Sequence, residues 1–317
     1  MRIAVIDDYQ NAFSSLDAAA KLKGHEVKTF AAPATTEQAL IDMLKGFEAV
    51  VLIQQRTAMP RKVIEGLPDL KMISQTGKNT AHIDVAACNE RGITVSAGGG
   101  GTPNATAEIT WALILSAARH IPAEVQAMKE GKWQIAIGSA LAGKTLGVYA
   151  FGKIGAVVAT VGKAFGMKVV CWGREGSLAR AKEAGFEVAA SREAFFSQCD
   201  VIALHIPLNK ETQGIIKAAD LALMKTDSIL VNTSRAGLIE DGALVAALKA
   251  GRPGQAGIDV YETEPVLNGN HPLLKLPNVV CTPHLGYVEK GTYEALYGAA
   301  ADQILAYAAG KPINVVK

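Results

Sequence analysis

Hydrophobic and polar positions along the chain form short β-branched runs separated by segments with helical spacing. The first five runs are residues 3–6, 26–30, 49–53, 70–74 and 93–95. Between them lie helix-like segments such as residues 13–23 and 36–45. A second series comprises residues 145–150, 169–172, 201–205, 229–231 and 257–260. Each alternation predicts β–α–β units that close a parallel sheet, so we expect two doubly wound sheets with a cleft between them.

Two segments interrupt or follow this alternation. Gly98–Gly101 breaks the pattern, and Thr102 then starts a long helix predicted to reach about His120. We interpret the glycine run as a hinge, and a loop without a mechanical role is the alternative. Residues 289–310 predict a last helix, which we expect to return to the first domain. Its predicted apolar side consists of Tyr293, Leu296, Ile304, Leu305 and Tyr307.

Composition leaves room for two cores and gives no sign of a polyanionic partner. Of 317 residues 49% are hydrophobic, and 32 basic against 30 acidic residues give a formal charge of +2. We therefore expect a small or weakly charged partner, and neither nucleic acid nor a membrane. The four cysteines are far apart and form no CxxC motif, which favours reduced thiols and a cytoplasmic protein. No metal site is predicted.

Three chemically active side chains follow apolar runs in the last third of the chain. Arg235, Glu264 and His284 come shortly after the runs that begin at residues 229, 257 and 278. Carboxyl ends of parallel strands meet at one rim of a sheet, where α/β folds place their chemistry. The runs can therefore bring a cation, a carboxylate and an imidazole to a common edge.

Together with the glycine-rich segment 149–155, these runs resemble the D-2-hydroxyacid dehydrogenases, which include glyoxylate and hydroxypyruvate reductases and phosphoglycerate dehydrogenase-like proteins. The resemblance covers nearly the whole chain. It implies an α/β protein with a flavodoxin-like substrate domain, residues 1–100 plus 287–317, and a Rossmann NAD(P)-binding domain, residues 101–286. The implied reaction transfers a hydride between NAD(P)H and C2 of a small 2-keto or D-2-hydroxy acid.

The resemblance also implies a role for each of the three side chains. Arg235 would grip the substrate carboxylate through paired donors. His284 would move the proton, and Glu264 would fix the ring's tautomer and favour its cationic form. Formate dehydrogenases of this fold pair the histidine with glutamine, so a glutamate at 264 indicates the version that transfers a proton.

The glycine motif departs from its template because it reads AxGxxG, with Ala150 in the place of the first glycine. Gly152 still allows a pyrophosphate to approach the backbone, and Gly155 still allows close packing of helix on strand. We expect the helix to occupy residues 156–165. An alanine fits the first position if its φ is negative, so dinucleotide binding remains the preferred interpretation.

The residues after the next strand bear on cofactor choice. Gly173 occupies the position where an NAD site usually has an acid, and Arg174 follows it. An arginine beside a missing acid suits a 2′-phosphate, so NADP is preferred and NAD stays possible. Two alternatives remain open for Glu175: it takes over the role of the acid, or it pairs with Arg174.

Further contacts are implied by the resemblance. Asp259 is expected near the nicotinamide carboxamide, with a loop-capping role as the alternative, and His205 is expected to be a wall residue bonded to backbone or cofactor. His25, His120 and His271 are expected to be structural or solvated, and a contact of His82 with substrate is left open. The predicted cofactor-binding residues are Gly152, Lys153, Ile154, Gly155, Arg174, His205, Pro207, Thr212, Thr233, Asp259 and Gly286. The predicted substrate contacts are Arg235 and the loop Gly77, Lys78 and Asn79, where both side chains either line the site or point to solvent.

Other functions remain open. One alternative is a dinucleotide-sensing interaction protein of the carboxy-terminal-binding corepressor type, which shares this fold. The other is a different reaction on the same fold, such as phosphite oxidation. The helix from Thr102 and the segment Lys129–Trp133 resemble the arm through which family members form dimers. We therefore expect a homodimer with Trp133 as an anchor, and packing of that helix on its own domain is the alternative.

Overall fold

The structure, a computed structural model, describes residues 1–316 of the chain. The strands are β1 Arg2–Val5, β2 Glu26–Thr29, β3 Ala49–Leu52, β4 Met72–Thr76, β5 Thr94–Gly98, β6 Thr145–Tyr149, β7 Lys168–Trp172, β8 Glu187–Val188, β9 Val201–Leu204, β10 Ile229–Asn232, β11 Gln255–Ile258 and β12 Val279–Cys281. The α-helices are α1 Asp17–Lys21, α2 Glu37–Leu44, α3 Arg61–Glu65, α4 Val85–Glu90, α5 Pro103–Ala118, α6 Ile121–Lys129, α7 Lys153–Ala164, α8 Glu175–Glu183, α9 Arg192–Gln198, α10 Ala218–Leu223, α11 Ala243–Lys249 and α12 Lys290–Ala308.

The chain divides into two compact units. The first contains Met1–Thr102 and the chain from Val288 onward, and the second contains Pro103–Tyr287. Each unit has one parallel sheet, of five strands in the first and seven in the second. Two parallel α/β sheets confirm the predicted fold class. Within residues 1–316, no helix combines the length and the apolar character needed to cross a bilayer.

The first unit has the strand order β2-β1-β3-β4-β5. Strands β3 and β4 are buried along their whole length, as expected for parallel strands covered on both faces. Helix α12 packs on this sheet: the Ser74 hydroxyl donates to the Ala300 carbonyl at 3.1 Å, and Leu296 and Ile304 are fully buried. The predicted last helix is thus present and belongs to the first unit. Its predicted apolar side is buried at Tyr293 as well, but Leu305 and Tyr307 are only partly covered.

The predicted helix at residues 13–23 is interrupted. A short 3-10 turn, Phe13–Ser15, precedes α1, and Leu16 between them has an extended backbone with φ −88° and ψ 149°. Leu16 is 6% exposed. The interruption places this leucine in the core, which the helical spacing alone does not predict.

The glycine run packs against α12. A Cβ atom at Gly99, whose φ is +89°, would lie 2.9 Å from the Ala299 Cβ, and one at Gly101 would lie 2.6 Å from Thr292 Cγ2. Gly99 and Gly101 are therefore needed for this close approach to α12. The hinge remains a hypothesis.

The second unit has the strand order β12-β11-β10-β9-β6-β7-β8. Apart from the extra strand β12, this is the order of a dinucleotide-binding doubly wound sheet. Helix α5 lies close to the sheet, since a Cβ at Gly257 would come 2.8 Å from the Leu113 Cβ. Strands β10, β11 and β12 are neighbours, so the loops that follow them lie side by side at the carboxyl edge.

Candidate active site

The three side chains singled out in the sequence follow three neighbouring strands of the second unit. Arg235 comes three residues after β10, Glu264 six residues after β11, and His284 three residues after β12. All three loops leave the same edge because the strands are parallel. The three loops therefore place a cation, a carboxylate and an imidazole at one edge of the sheet.

His284 and Glu264 form a close pair. The distance between His284 Nδ1 and Glu264 Oε2 is 2.7 Å, and their side chains are 15% and 17% exposed. The other carboxylate oxygen, Oε1, accepts from the Tyr261 backbone N–H at 2.9 Å. Both oxygens of Glu264 are thus held, which fixes the orientation of the imidazole. His284 has a φ of +54°, and its backbone N–H donates to the Thr282 carbonyl at 3.0 Å.

Asp259 organises the loop that carries His284. Its Oδ1 accepts from the Thr282 hydroxyl at 2.6 Å and from the Leu285 N–H at 2.7 Å, and its Oδ2 accepts from the Gly286 N–H at 2.9 Å. Burial raises the pKa of this carboxyl, and the hydrogen bonds oppose the rise. These contacts correspond to the loop-capping alternative. The predicted contact with a nicotinamide carboxamide stays a prediction.

Arg235 is half-buried and precedes a short 3-10 turn, Ala236–Leu238. Its backbone carbonyl accepts from the Asn232 side-chain amide at 2.9 Å, and its Nη1 donates to the Ser234 carbonyl at 2.6 Å. Asn232 also accepts from the Ser234 N–H at 3.0 Å. The end of β10 therefore sets the position from which the guanidinium projects.

The glycine-rich turn after β6 corrects one expectation. Ala150 has a φ of +78°, so the expectation of a negative φ was wrong. Ala150 thus has the backbone conformation that is usual for the glycine it replaces. Its carbonyl group lies very close to α7. A Cβ at Gly155 would lie 2.4 Å from the Ala150 carbonyl oxygen. Helix α7 starts at Lys153, earlier than the predicted residue 156, with Gly152 as its N-cap.

The glycine pair of this turn fits a pyrophosphate. A Cβ at Gly152 would meet no heavy atom within 4 Å, so the backbone is open to a ligand there. Lys153, Ile154 and Gly155 form the first turn of α7, whose N-terminal N–H groups favour an anion. The residues present are therefore suited to hold a dinucleotide.

Two residues that the sequence did not single out hold this turn from α8. The Ser177 hydroxyl accepts from the buried Phe151 N–H at 2.6 Å, and Arg180 Nε donates to the Phe151 carbonyl at 3.2 Å. Both backbone polar groups of Phe151 are thus bound by side chains of the next helix. In the sequence, Ser177 and Arg180 are related only by their helical spacing on α8. This spacing does not indicate that both bind the backbone of Phe151.

Gly173 and Arg174 follow β7 as predicted, but the ion pair that Arg174 forms was not expected. Gly173 has a φ of +155°, and a Cβ there would lie 3.1 Å from Ser177 Oγ, so an acid at this position would be strained. Arg174 Nη2 lies 2.7 Å from Glu211 Oε2. The pairing partner of Arg174 is therefore Glu211, which the sequence reasoning missed, and not Glu175. Glu211 lies next to the predicted contact Thr212, but nothing in the sequence marks it as a partner of Arg174.

The loop after β9 contains further predicted cofactor contacts. Both ring nitrogens of His205 are buried and have no hydrogen-bond partner within residues 1–316, although the residue as a whole is only partly buried. The ring therefore makes no bond to the backbone of the described residues, and the alternative, a bond to the cofactor, stays a prediction. Burial lowers the pKa of His205 to about 4. Thr212 donates its hydroxyl to the Pro207 carbonyl at 2.7 Å, and Thr233 shares a hydrogen bond with Thr110 at 2.8 Å.

The predicted substrate loop lies in the first unit. Gly77 has a φ of +83°, and its N–H donates to the Gly98 carbonyl at 2.8 Å. Its contact with substrate stays a prediction. Lys78 is exposed, and the Asn79 side chain accepts from the Ala81 N–H at 2.9 Å. Both ring nitrogens of His82 are buried without a partner among residues 1–316, and burial lowers its pKa to about 4.

The remaining histidines have local contacts. His25 Nδ1 lies 3.3 Å from the amino terminus, and His271 Nε2 lies 2.9 Å from Glu262 Oε2. His120 has a φ of +53° and precedes α6 as its N-cap. None of these contacts is with the pair of His284 and Glu264.

Comparisons with known proteins place this geometry in a family. The model of the D-isomer specific 2-hydroxyacid dehydrogenase NAD-binding domain matches residues 111–286. A glyoxylate reductase of Aeropyrum pernix is 39% identical over 78% of this chain and 77% of its own length. A D-3-phosphoglycerate dehydrogenase of Archaeoglobus fulgidus is 37% identical over 91% of this chain, which spans 54% of that protein.

A solved structure is also similar over its whole length. The phosphoglycerate oxidoreductase of Vibrio cholerae O395 superimposes with a TM-score of 0.94 at 47% identity, covering 98% of this chain and 99% of that one. The matched family domain binds NAD, which agrees with the open glycine turn in the second unit. By sequence and by structure, the chain is an enzyme that belongs to the D-isomer specific 2-hydroxyacid dehydrogenase family.

Proposed function

We propose that this enzyme reduces small 2-keto acids, such as glyoxylate or hydroxypyruvate, to D-2-hydroxy acids with NAD(P)H. The observation that carries the proposal is the pair of His284 Nδ1 and Glu264 Oε2 at 2.7 Å, on loops next to that of Arg235. A glyoxylate reductase that matches most of both chains supports the choice of substrate class.

His284 delivers the proton in this proposal. Negative charge develops on the keto oxygen as C2 is reduced, and a proton donor at that oxygen lowers the barrier. Since Nδ1 is committed to Glu264, Nε2 is the ring nitrogen that gives the proton to the substrate oxygen. Glu264 stabilises the imidazolium form before transfer and keeps the ring in one tautomer afterwards.

Arg235 binds the substrate carboxylate. A guanidinium offers two parallel donors that match a planar carboxylate, and this fixes the keto acid in one orientation. The hydrogen bonds of Asn232 to the backbone of Arg235 and Ser234 hold the start of the Arg235 side chain in place.

The dinucleotide is bound at the turn after β6, and it supplies the hydride when bound. Gly152 and the first turn of α7 receive the pyrophosphate in this proposal. We propose a preference for NADP because Gly173 provides no carboxylate and Arg174 places a cation beside it. Asp259 and Gly286 remain the proposed neighbours of the nicotinamide.

We also propose that the enzyme is a homodimer formed through α6 and the segment after it. This surface is apolar and exposed, with Met128 at 66%, Trp133 at 75% and Ile137 at 97%. Large exposed apolar side chains grouped in one region are typical of interfaces between subunits. Trp133 is the proposed anchor.

The direct test is a panel of 2-keto acids with NADH and NADPH, read as the loss of reduced-nicotinamide absorbance. We expect glyoxylate or hydroxypyruvate to be reduced, with a higher kcat/KM for NADPH than for NADH. Phosphohydroxypyruvate in the same panel tests the phosphorylated substrate class suggested by some relatives' names. The proposal is wrong if no 2-keto acid is reduced with either cofactor.

A further inference from the structure

Arg174 and Glu211 join two loops that flank the glycine-rich turn. Arg174 follows β7, Glu211 follows β9, and β6 lies between these strands in the sheet. Arg174 Nη2 and Glu211 Oε2 are 2.7 Å apart, with 66% and 75% of the side chains exposed. The pair therefore lies at the carboxyl end of β7, where a doubly wound dinucleotide site receives the adenosine ribose.

The backbone of Glu211 is held in a compact turn. The Asn209 side-chain oxygen accepts from the Glu211 N–H at 2.9 Å and from the Thr212 N–H at 3.1 Å. Thr212 is 1% exposed, and its hydroxyl accepts from the Asn209 N–H at 2.8 Å. Because the loop is anchored on both sides of Glu211, its carboxylate stays near Arg174 while remaining exposed to a ligand.

The carboxylate of Glu211 acts on the binding of NADP in two ways. It occupies the guanidinium that a 2′-phosphate would bind, and its negative charge repels the phosphate. NAD has ribose hydroxyls instead, which donate to a carboxylate. Gly173 cannot provide that carboxylate without strain, since its φ is +155°.

We propose that Glu211 is the residue that determines cofactor specificity, by competing with the 2′-phosphate for Arg174. This inference rests on the proposed dinucleotide site at the turn after β6. Under this inference, the preference for NADP depends on the balance between the positive charge of Arg174 and the negative charge of Glu211. The function of the acid that is missing at position 173 then belongs to a residue of a different loop.

The test compares the dissociation constants of NADPH and NADH, measured with the full chain by reduced-nicotinamide fluorescence. We expect Glu211→Gln to tighten NADPH by about two- to fivefold, an effect in the range of an exposed ion pair, and to leave NADH unchanged or weaker. Glu183→Gln, at the exposed end of α8, removes the same charge away from the pair and serves as the matched control.

Two further variants separate the explanations. In an Arg174→Ala background, Glu211→Gln should tighten NADPH by a smaller factor than in wild type, because only the direct repulsion between Glu211 and the phosphate is then removed; an equal factor would reject competition for Arg174. Glu175→Gln tests the rival carboxylate, and an equal gain there would overturn the proposal.

The outcomes also separate this inference from the proposed function. An unchanged ratio of NADPH to NADH affinity in Glu211→Gln would reject the role of Glu211 while leaving the dinucleotide site intact. Failure of the wild-type protein to bind either cofactor would reject the site itself.

Discussion

Ala150 and His284 both have backbone conformations that L side chains seldom adopt, with φ of +78° and +54°. The sequence could not predict either one, because the neighbouring structure imposes it. At Ala150 the carbonyl oxygen lies so close to α7 that a Cβ at Gly155 would come within 2.4 Å of it. At His284 the loop is bound by Asp259 through three hydrogen bonds. Both residues lie at the rim of the second unit's sheet, where strain is common in functional sites.

The strain at Ala150 predicts that Ala150→Gly stabilises the protein slightly. A Cβ in the left-handed region costs about 1–2 kcal/mol, and the greater entropy of glycine in the unfolded chain offsets about 0.5–1 kcal/mol of that gain. Thermal denaturation should show a Tm higher by roughly 1–4 °C. Ala156→Gly in α7 is the control and should lower the Tm. A loss in Ala150→Gly as large as in this control would show that Ala150 carries no strain.

The buried imidazole of His205 predicts a pH dependence of stability. Burial lowers its pKa from 6.5 to about 4, so the unfolded chain binds more protons than the folded one between these values. Stability is then complete above pH 6.5 and falls as the pH decreases towards 4. The loss from one such histidine is up to about 2 kcal/mol at pH 5. Urea unfolding of the apo protein at pH 7 and pH 5 measures it.

His205→Phe should reduce that pH dependence. The ring nitrogens have no partner in the described chain, so their removal leaves no polar group of the protein unpaired. The difference in unfolding free energy between pH 7 and pH 5 should shrink by up to about 2 kcal/mol. An identical difference in wild type and variant would show that His205 is protonated equally in both states.

At the level of elements, the sequence predicts most of the strands. The three apolar runs before Arg235, Glu264 and His284 are neighbouring strands, as the parallel pattern required. Helix starts were less predictable: α7 begins at Lys153 because Gly152 is an N-cap without a capping side chain. The partners of Arg174 and Phe151 could not be predicted, since they come from loops and helices distant in sequence.

The pair formed by the loops after β11 and β12 predicts the effect of Glu264→Gln. A glutamine still accepts a hydrogen bond from the imidazole but no longer stabilises its cation. The pH profile of kcat for reduction should therefore move towards acid, with cofactor affinity close to wild type. Initial rates between pH 5 and pH 9 measure the shift. An unchanged profile would mean that Glu264 does not set the protonation of His284.

At the level of the whole molecule, the sequence predicts two parallel α/β sheets and a surface for assembly. The exposed apolar side chains of α6 and the following segment predict a dimer with about twice the chain mass of 33.2 kDa. Light scattering after gel filtration should show the mass of Trp133→Ser/Ile137→Ser shifted to that of a monomer. Leu223→Ser, at an exposed leucine in α10, is the control. A monomeric wild-type protein would reject the dimer.

The central claim is that His284 gives the substrate its proton. The most direct test is the turnover of His284→Gln in glyoxylate reduction, with the dissociation constant of NADPH measured on the same preparation. Loss of a general acid typically costs about 10² to 10⁴ in rate, so kcat should fall by that factor while cofactor affinity stays near wild type. Turnover close to wild type with normal cofactor binding would contradict the assignment and remove His284 from the mechanism.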